Sequence, residues 1–120
     1  MDEIIKNKPE GFDVISGDDG ITFPLITLGA VGVISVLGNA FPAEFSKMNR
    51  LALEGNYAEA LTIHHQFTEI INLLFADGNP AGAKAMLNIM GMCENKLRLP
   101  LVPAREATCD KLRAAWEALK

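Results

Sequence analysis

Lysine amines are the groups of this chain that could attack a carbonyl carbon and form a Schiff base. A lysine with that role needs a dry pocket that lowers its pKa. Lys84 is the candidate by position, because it follows Asn79-Pro80 by about one helical turn. A residue type alone does not make a site, and a position on a helix favours a solvated or structurally paired lysine. The other lysines are typical of a protein surface.

Asp18 and Asp19 form a carboxylate pair that could serve acid–base chemistry or bind a metal. Two adjacent aspartates without a third ligand are a weak indication of a metal site. Aspartates are preferred at helix N-termini, where they accept hydrogen bonds from free backbone amides. We therefore expect both carboxylates to cap the helix predicted at residues 21–28, and we expect no metal.

The remaining reactive side chains favour structural roles. His64 and His65 are adjacent, so on a helix they point about 100° apart and cannot ligate one metal from the same face; His64 shares an apolar stripe and is predicted to be a core histidine. Cys93 and Cys109 form no CxxC motif and are expected to be reduced thiols. The segment Gly29-Ala30-Val31-Gly32 enters a strand, whereas a dinucleotide loop leaves one, so no cofactor is expected.

Charge and hydropathy exclude two classes of partner. The chain has 15 acidic and 11 basic side chains, a net charge of −4, and its Lys and Arg residues are scattered. Nucleic-acid binding relies on clustered positive charge, so we expect no nucleic-acid partner. The longest apolar stretch, near residues 28–37, is far shorter than the roughly 20 residues that cross a bilayer. With no signal-peptide pattern after Met1, the sequence predicts a cytoplasmic protein without membrane contact.

A single βαβ unit carries the sheet signal. Residues 12–16 are predicted to form a strand, residues 17–20 a polar turn, residues 21–28 a helix and residues 31–36 a second strand. The second strand is rich in β-branched residues, which is typical of a parallel strand buried on both faces. Two such strands leave unpaired edges, so the pattern predicts the end of a larger α/β architecture.

The rest of the chain is predicted to be helical. Proline, asparagine and glycine residues mark the ends of segments, which gives helices at about residues 42–54, 56–75, 79–90 and 106–119 after a short helix end at residues 4–8. A (β/α)₈ barrel typically takes about 250 residues, so 120 residues could hold only its last part followed by helices.

An ordered set of motifs carries a family resemblance. Ser16-Gly17-Asp18-Asp19 and Gly32-Val33-Ile34-Ser35-Val36 are followed by Asn39, Asn79-Pro80, Lys84 and Leu97-Arg98-Leu99-Pro100. Together they resemble the closing part of the dihydrodipicolinate synthase family of pyruvate-dependent class I aldolases. The resemblance implies an α/β fold that is mostly helical overall. Residues 1–55 would be the C-terminal quarter of a TIM (β/α)₈ barrel with strands seven and eight, and residues 56–120 a helical C-terminal domain.

The resemblance also implies a chemistry. In this family a lysine forms a Schiff base with pyruvate, and the resulting enamine attacks aspartate semialdehyde during lysine and diaminopimelate biosynthesis. Gly17 matches the strand-seven glycine beside the pyruvate pocket. Ile34 matches the strand-eight residue whose backbone carbonyl lies near the Schiff-base lysine. Both fall at C-terminal strand ends, where barrel enzymes build their sites.

The same resemblance places the Schiff-base lysine on strand six, just upstream of Met1, and matches Lys84 to a lysine of the helical domain. We therefore expect no catalytic residue in residues 1–120, no activity of this chain alone, and a complete pyruvate pocket only in a full-length enzyme. A second hypothesis is a structural module that forms homo-oligomers or docks onto the missing barrel portion. A third is a fragment of a related N-acetylneuraminate lyase or keto-deoxy-sugar aldolase.

Overall fold

The computed structural model describes all 120 residues, which contain eight helices and strands and two short 3₁₀ turns. In chain order these are α1 (Asp2–Asn7), β1 (Ile15–Ser16), a 3₁₀ turn (Asp19–Ile21), α2 (Thr22–Thr27), β2 (Gly32–Val33), a 3₁₀ turn (Leu37–Asn39), α3 (Pro42–Leu53), α4 (Tyr57–Phe75), α5 (Ala81–Ile89) and α6 (Glu106–Glu117). The chain divides into a strand unit, Met1–His65, and a helical unit, Gln66–Lys120. No helix combines the length and the apolar character needed to cross a membrane.

The strand unit is organised around one parallel strand pair. Ile15 pairs with Gly32 and Ser16 with Val33, which confirms the parallel arrangement of the βαβ prediction. Each strand is two residues long, shorter than the five and six residues predicted, because each has only one neighbour with which to form a ladder. Two further backbone bonds of 2.9 Å, from Val31 N to the Val14 oxygen and from Ile34 N to the Ser16 oxygen, flank the pair.

Burial of the second strand on both faces is a wrong prediction for this chain. Val14 and Ser16 are buried, but Ile15 and Val31 are almost half exposed and the Ile34 side chain is 77% exposed. Helix α2 contacts β2, but it does not cover these side chains. These apolar side chains therefore lie open.

Local signals set the helix ends of the strand unit well. Pro42 occupies the first position of α3, as predicted, and its fixed backbone angle suits that place. Gly55 follows the end of α3 with φ of 83°, and Gly29 follows α2 with φ of 111°. Both angles lie in the left-handed region that only glycine adopts freely.

The helical unit is held by a close helix–helix approach. A Cβ atom added at Gly82 of α5 would stand 2.0 Å from the backbone oxygen of Leu74 in α4, so only glycine fits there. The side chains of Leu74, Met86 and Leu112 are completely buried. The helix predicted from residue 79 begins two residues later: α5 starts at Ala81, without a side-chain cap, and the amide of Gly82 is bonded to the Gly78 carbonyl.

A carboxylate fixes the start of α6 in the helical unit. Asp77 accepts bonds from the backbone N of Arg105 at 2.9 Å and from its Nε at 2.7 Å. These bonds, chiefly the side-chain bond from Arg105 and then one from Thr108, lower the pKa of Asp77 to about 2. The loop after α4 is thereby tied to the beginning of α6.

Candidate functional site

The two predicted site residues lie side by side at the carboxyl ends of the strands. Gly17 directly follows Ser16 of β1, and Ile34 directly follows Val33 of β2. The amide of Ile34 donates to the Ser16 carbonyl oxygen at 2.9 Å, which couples the two strand ends. In parallel α/β folds this edge is where ligands bind. The fold therefore brings together two residues that are 17 positions apart in sequence.

Nothing in the chain crowds Gly17. A Cβ atom added there would meet no atom within 4 Å, and the backbone is not in the left-handed region. Neither local geometry nor packing within the chain therefore requires a glycine at this position. The surface beside it is open to a ligand or another segment, and the exposed Ile34 side chain belongs to the same strand end.

Two buried hydroxyl groups fix the turn that carries Gly17. The Oγ of Ser16 donates to the Asp18 carbonyl oxygen at 2.9 Å and accepts from the Asp18 amide at 3.2 Å. Thr22 Oγ1 lies 2.7 Å from the same carbonyl oxygen and 3.0 Å from Ser16 Oγ. Neither hydroxyl was predicted to fix this turn. A serine ending a strand and a threonine opening the next helix, with the turn between them, was the available signal.

Asp18 and Asp19 accept hydrogen bonds from backbone amides at two different places. Asp18 accepts from the amide of Gly20 at 2.8 Å and so caps the 3₁₀ turn that leads into α2, as predicted. The predicted capping role of Asp19 at this helix is wrong. Its Oδ2 instead accepts from the amides of Val36 at 3.0 Å and Leu37 at 2.8 Å, beyond the end of β2. Strand pairing brings those distant amides within its reach.

An elongated apolar cavity lies between β2 and α3, next to this strand end. Its volume is about 420 Å³, and its walls include Val31, Val33, Phe45, Asn49 and Leu53. Its lining is mainly apolar, with Arg50 as its one charged residue, so most of its wall suits an apolar side chain or a neighbouring element.

Lys84 lies on α5 in the helical unit and is half-buried. Together with Lys96 and Arg98 it lines a shallow cavity of about 460 Å³. Lys96 is ion-paired with Glu94 at 2.7 Å, and both side chains are largely exposed. Charged and exposed side chains thus border this cavity, whereas a nucleophilic lysine needs a dry pocket.

His64 packs against an aromatic ring in the strand unit. Its ring centroid lies 5.6 Å from that of Phe23 and 5.7 Å from that of His65. Burial, and secondarily the neighbouring His65, lowers the pKa of His64. The chain holds no group of three or more His, Cys, Asp or Glu side chains placed to bind a metal ion. The contact with Phe23 agrees with a packing role for His64.

Comparison with known proteins decides the family. The sequence model of the dihydrodipicolinate synthetase family matches residues 1–119. The chain belongs to this family. The 4-hydroxy-tetrahydrodipicolinate synthase of Phocaeicola vulgatus is 75% identical to it over 120 residues, which are 100% of this chain and 40% of that protein. The chain thus spans about 40% of the length of the dihydrodipicolinate synthases that it matches.

Solved dihydrodipicolinate synthase structures share the fold. The crystal structure of the enzyme from Aquifex aeolicus is 40% identical with a TM-score of 0.92, covering 98% of this chain and 40% of that one. The chloride-inhibited enzyme from Acinetobacter baumannii, solved with pyruvate, is 32% identical with a TM-score of 0.93 and the same coverage. The motif resemblance of the sequence analysis is confirmed at the level of the family.

Proposed function

We propose that residues 1–120 form barrel strands seven and eight and the C-terminal helical domain of a 4-hydroxy-tetrahydrodipicolinate synthase. Such an enzyme condenses pyruvate with aspartate semialdehyde through a Schiff base. The observation that carries the proposal is the placement of Gly17 and Ile34 on adjacent strand ends, coupled by the bond from Ile34 N to the Ser16 oxygen. The assignment to this reaction is supported by a relative of that name whose sequence is 75% identical.

Gly17 and Ile34 would form part of the pyruvate pocket rather than its reactive centre. A glycine without a steric requirement in its own chain is suited to a wall that a small keto acid must approach closely. The carbonyl of Ile34 would accept a hydrogen bond from the lysine nitrogen and so help to orient the amine. This role uses the backbone alone, which is consistent with an Ile34 side chain that points into the open.

The reactive amine would come from a segment outside residues 1–120. In the strand unit, the ammonium of Lys8 is bonded to the Phe12 carbonyl at 2.8 Å, and Lys6 lies on α1. Both lysines precede β1 in the chain, and the third lysine of the strand unit, Lys47, is exposed on α3. We therefore expect no Schiff base on this chain alone.

Trapping with borohydride tests this assignment. The 120-residue chain and a chimera, in which the P. vulgatus segment upstream of the matched region precedes Met1, are treated with pyruvate and borohydride and then weighed. We expect a stoichiometric pyruvyl-lysine adduct on the upstream segment of the chimera, condensation activity with aspartate semialdehyde, and no adduct on the short chain. An adduct on any lysine of residues 1–120 would contradict the proposal, as would a folded chimera without activity.

The substrate assignment needs its own comparison. The chimera is offered aspartate semialdehyde and, separately, N-acetylneuraminate, because the related lyases and sugar aldolases share the Schiff-base lysine. Turnover of N-acetylneuraminate in preference to condensation would replace the synthase by the lyase alternative.

A Gly17→Val chimera should bind pyruvate at least about tenfold more weakly, since a side chain would fill the open wall. Gly32→Ala serves as the control, because this glycine also has open space around it.

A second candidate function is assembly, and the open strand face favours it. Ile15, Val31 and Ile34 are apolar and exposed on a strand pair with free edges. The 120-residue chain should therefore self-associate at micromolar concentration, and Ile34→Ser should reduce that association in light scattering. Leu99→Ser, at an exposed leucine of the helical unit, is the matched control. A stable monomer at the same concentration would remove this candidate.

A further inference from the structure

The Asp19 carboxylate joins the loop after β1 to the chain after β2. Asp19 is 1% exposed, and its Oδ2 accepts from the Val36 and Leu37 amides at 3.0 and 2.8 Å. These amides lie 17 and 18 positions away in sequence. They stand at the start of the 3₁₀ turn Leu37–Asn39, where backbone N–H groups have no partner in the turn itself.

Hydrogen bonds from backbone amides to a carboxylate are roughly twice as strong as bonds between neutral groups. Leu37 is completely buried, so water cannot replace the carboxylate at its amide. One residue thus satisfies two amides that would otherwise be costly to bury. This explains why an ionisable side chain lies inside the strand unit.

The segment 34–37 is anchored at one end by β1 and at the other by the 3₁₀ turn that follows it. At one end the Ile34 amide donates to the Ser16 carbonyl, and at the other the Val36 and Leu37 amides donate to Asp19. Ile34 and Ser35 lie between these anchors. The peptide group that links Ile34 to Ser35 includes the Ile34 carbonyl, and it therefore lies between two hydrogen-bonded anchors.

We propose that Asp19 is a positioning residue: it fixes the chain after β2 so that the Ile34 carbonyl keeps its direction at the strand end. Asp19 touches neither pyruvate nor the amine in this assignment. Its catalytic consequence rests on the proposed function, in which that carbonyl orients the Schiff-base lysine, but the anchoring of residues 34–37 is a property of the chain itself.

Amide hydrogen exchange tests the anchoring in the 120-residue chain. In Asp19→Ala the amides of Val36 and Leu37 should exchange at least about tenfold faster, because each loses a bond worth roughly a factor of ten in the opening equilibrium. Asp18→Ala, which removes the neighbouring carboxylate and its bond to Gly20, should leave those two amides unchanged. Equal exchange rates in wild type and Asp19→Ala would overturn the proposal.

Asp19→Asn keeps the test decisive if the alanine variant does not fold. Its amide oxygen can still accept from both backbone amides, but the bond is weaker and its NH₂ group takes the place of Oδ1, which is buried without a hydrogen-bond partner. We expect an intermediate acceleration of exchange at Val36 and Leu37. A folded Asp19→Asn chain with wild-type exchange at both amides would also reject the anchoring.

The catalytic part is tested in the chimera described above, with turnover counted per pyruvyl-lysine trapped by borohydride. We expect Asp19→Asn to lower kcat per trapped site by about tenfold, while Glu59→Gln, an exposed carboxylate on α4, leaves it unchanged. A merely structural role would reduce the number of trapped sites and not the rate at each. Unchanged kcat per site rejects the positioning role, whereas an inactive wild-type chimera rejects the proposed function and leaves the exchange result standing.

Discussion

The strand unit and the helical unit each use one aspartate to tie distant parts of the chain, but in different surroundings. Asp19 in the strand unit is almost completely buried and binds two backbone amides. Asp77 in the helical unit is 11% exposed and binds both the backbone amide and the side chain of Arg105, and that side chain is 76% exposed. Buried amide–carboxylate bonds are insensitive to salt and fix backbone geometry, whereas an exposed ion pair is screened and adjustable. The bonds that hold the backbone more firmly therefore lie at the strand ends.

Three glycines, Gly82 in the helical unit and Gly17 and Gly32 in the strand unit, differ in how closely other atoms approach them. Gly82 of the helical unit is required by the packing of α5 against the backbone of Leu74. Gly17 and Gly32 of the strand unit have open space where a side chain would be. Packing within the helical unit therefore accounts for the glycine at position 82. Gly17 has room at the carboxyl end of β1 that packing within the strand unit does not use, which agrees with the proposed pocket wall.

The largest expected effect is the loss of stability when Gly82, the crowded glycine, is replaced. Gly82→Ala places a methyl group against the Leu74 backbone, so helices α4 and α5 must separate. Overpacking of this kind costs about 1–3 kcal/mol, and backbone cannot yield as a flexible side chain does. Urea unfolding of the 120-residue chain followed by circular dichroism should show this loss.

The matched control for that variant is Gly32→Ala in the strand unit. A Cβ atom there meets nothing within 4 Å, and the backbone does not have a positive φ. Its effect on the free energy of unfolding should stay within about 0.5 kcal/mol, as for uncrowded surface positions. Equal losses of unfolding free energy in the two variants would mean that the close contact at Gly82 does not control the cost of its replacement.

Local signals in the sequence predicted the helices and the family with good accuracy. Pro42 and Gly55 set the limits of α3, and Gly91, with φ of 74°, follows the end of α5 as predicted. These residues act through their own backbone angles, so one sequence is enough to interpret them. The placement of Gly17 and Ile34 at adjacent strand ends was also accessible, because parallel strands bring their carboxyl ends to one edge.

Features that depend on distant parts of the chain were not accessible. Asp19 was predicted to cap the next helix, since a neighbouring helix N-terminus is the usual partner of such an aspartate. Its real partners, the Val36 and Leu37 amides, become neighbours only after the strands pair. The lengths of β1 and β2 likewise depend on how many neighbours each strand has, and a residue pattern does not encode that number.

A smaller effect is expected from the exposed ion pair of the helical unit. The pKa of Asp77 is lowered from 3.8 to about 2, so its stabilising effect is complete above pH 3.8 and is lost as the pH falls through about 2. In ¹³C NMR the Asp77 carboxyl should titrate near pH 2. Arg105→Ala removes the largest cause and keeps the backbone donor, so the midpoint should move up toward 3.8. A wild-type midpoint near 3.8 would show that the pair is not formed in solution.

The smallest effect concerns His64 in the strand unit and separates burial from charge. Burial is the larger cause of its lowered pKa and His65 the smaller one. Phe23→Ala, which removes the ring 5.6 Å from His64, should therefore raise the imidazole midpoint in NMR titration more than His65→Gln does. Because the pKa of His64 is lower in the folded chain than in the unfolded one, the unfolded form binds the proton more readily, and stability falls as the pH drops below 6.5. The reverse order of the two variants would mean that charge repulsion from His65, and not packing against Phe23, controls the site.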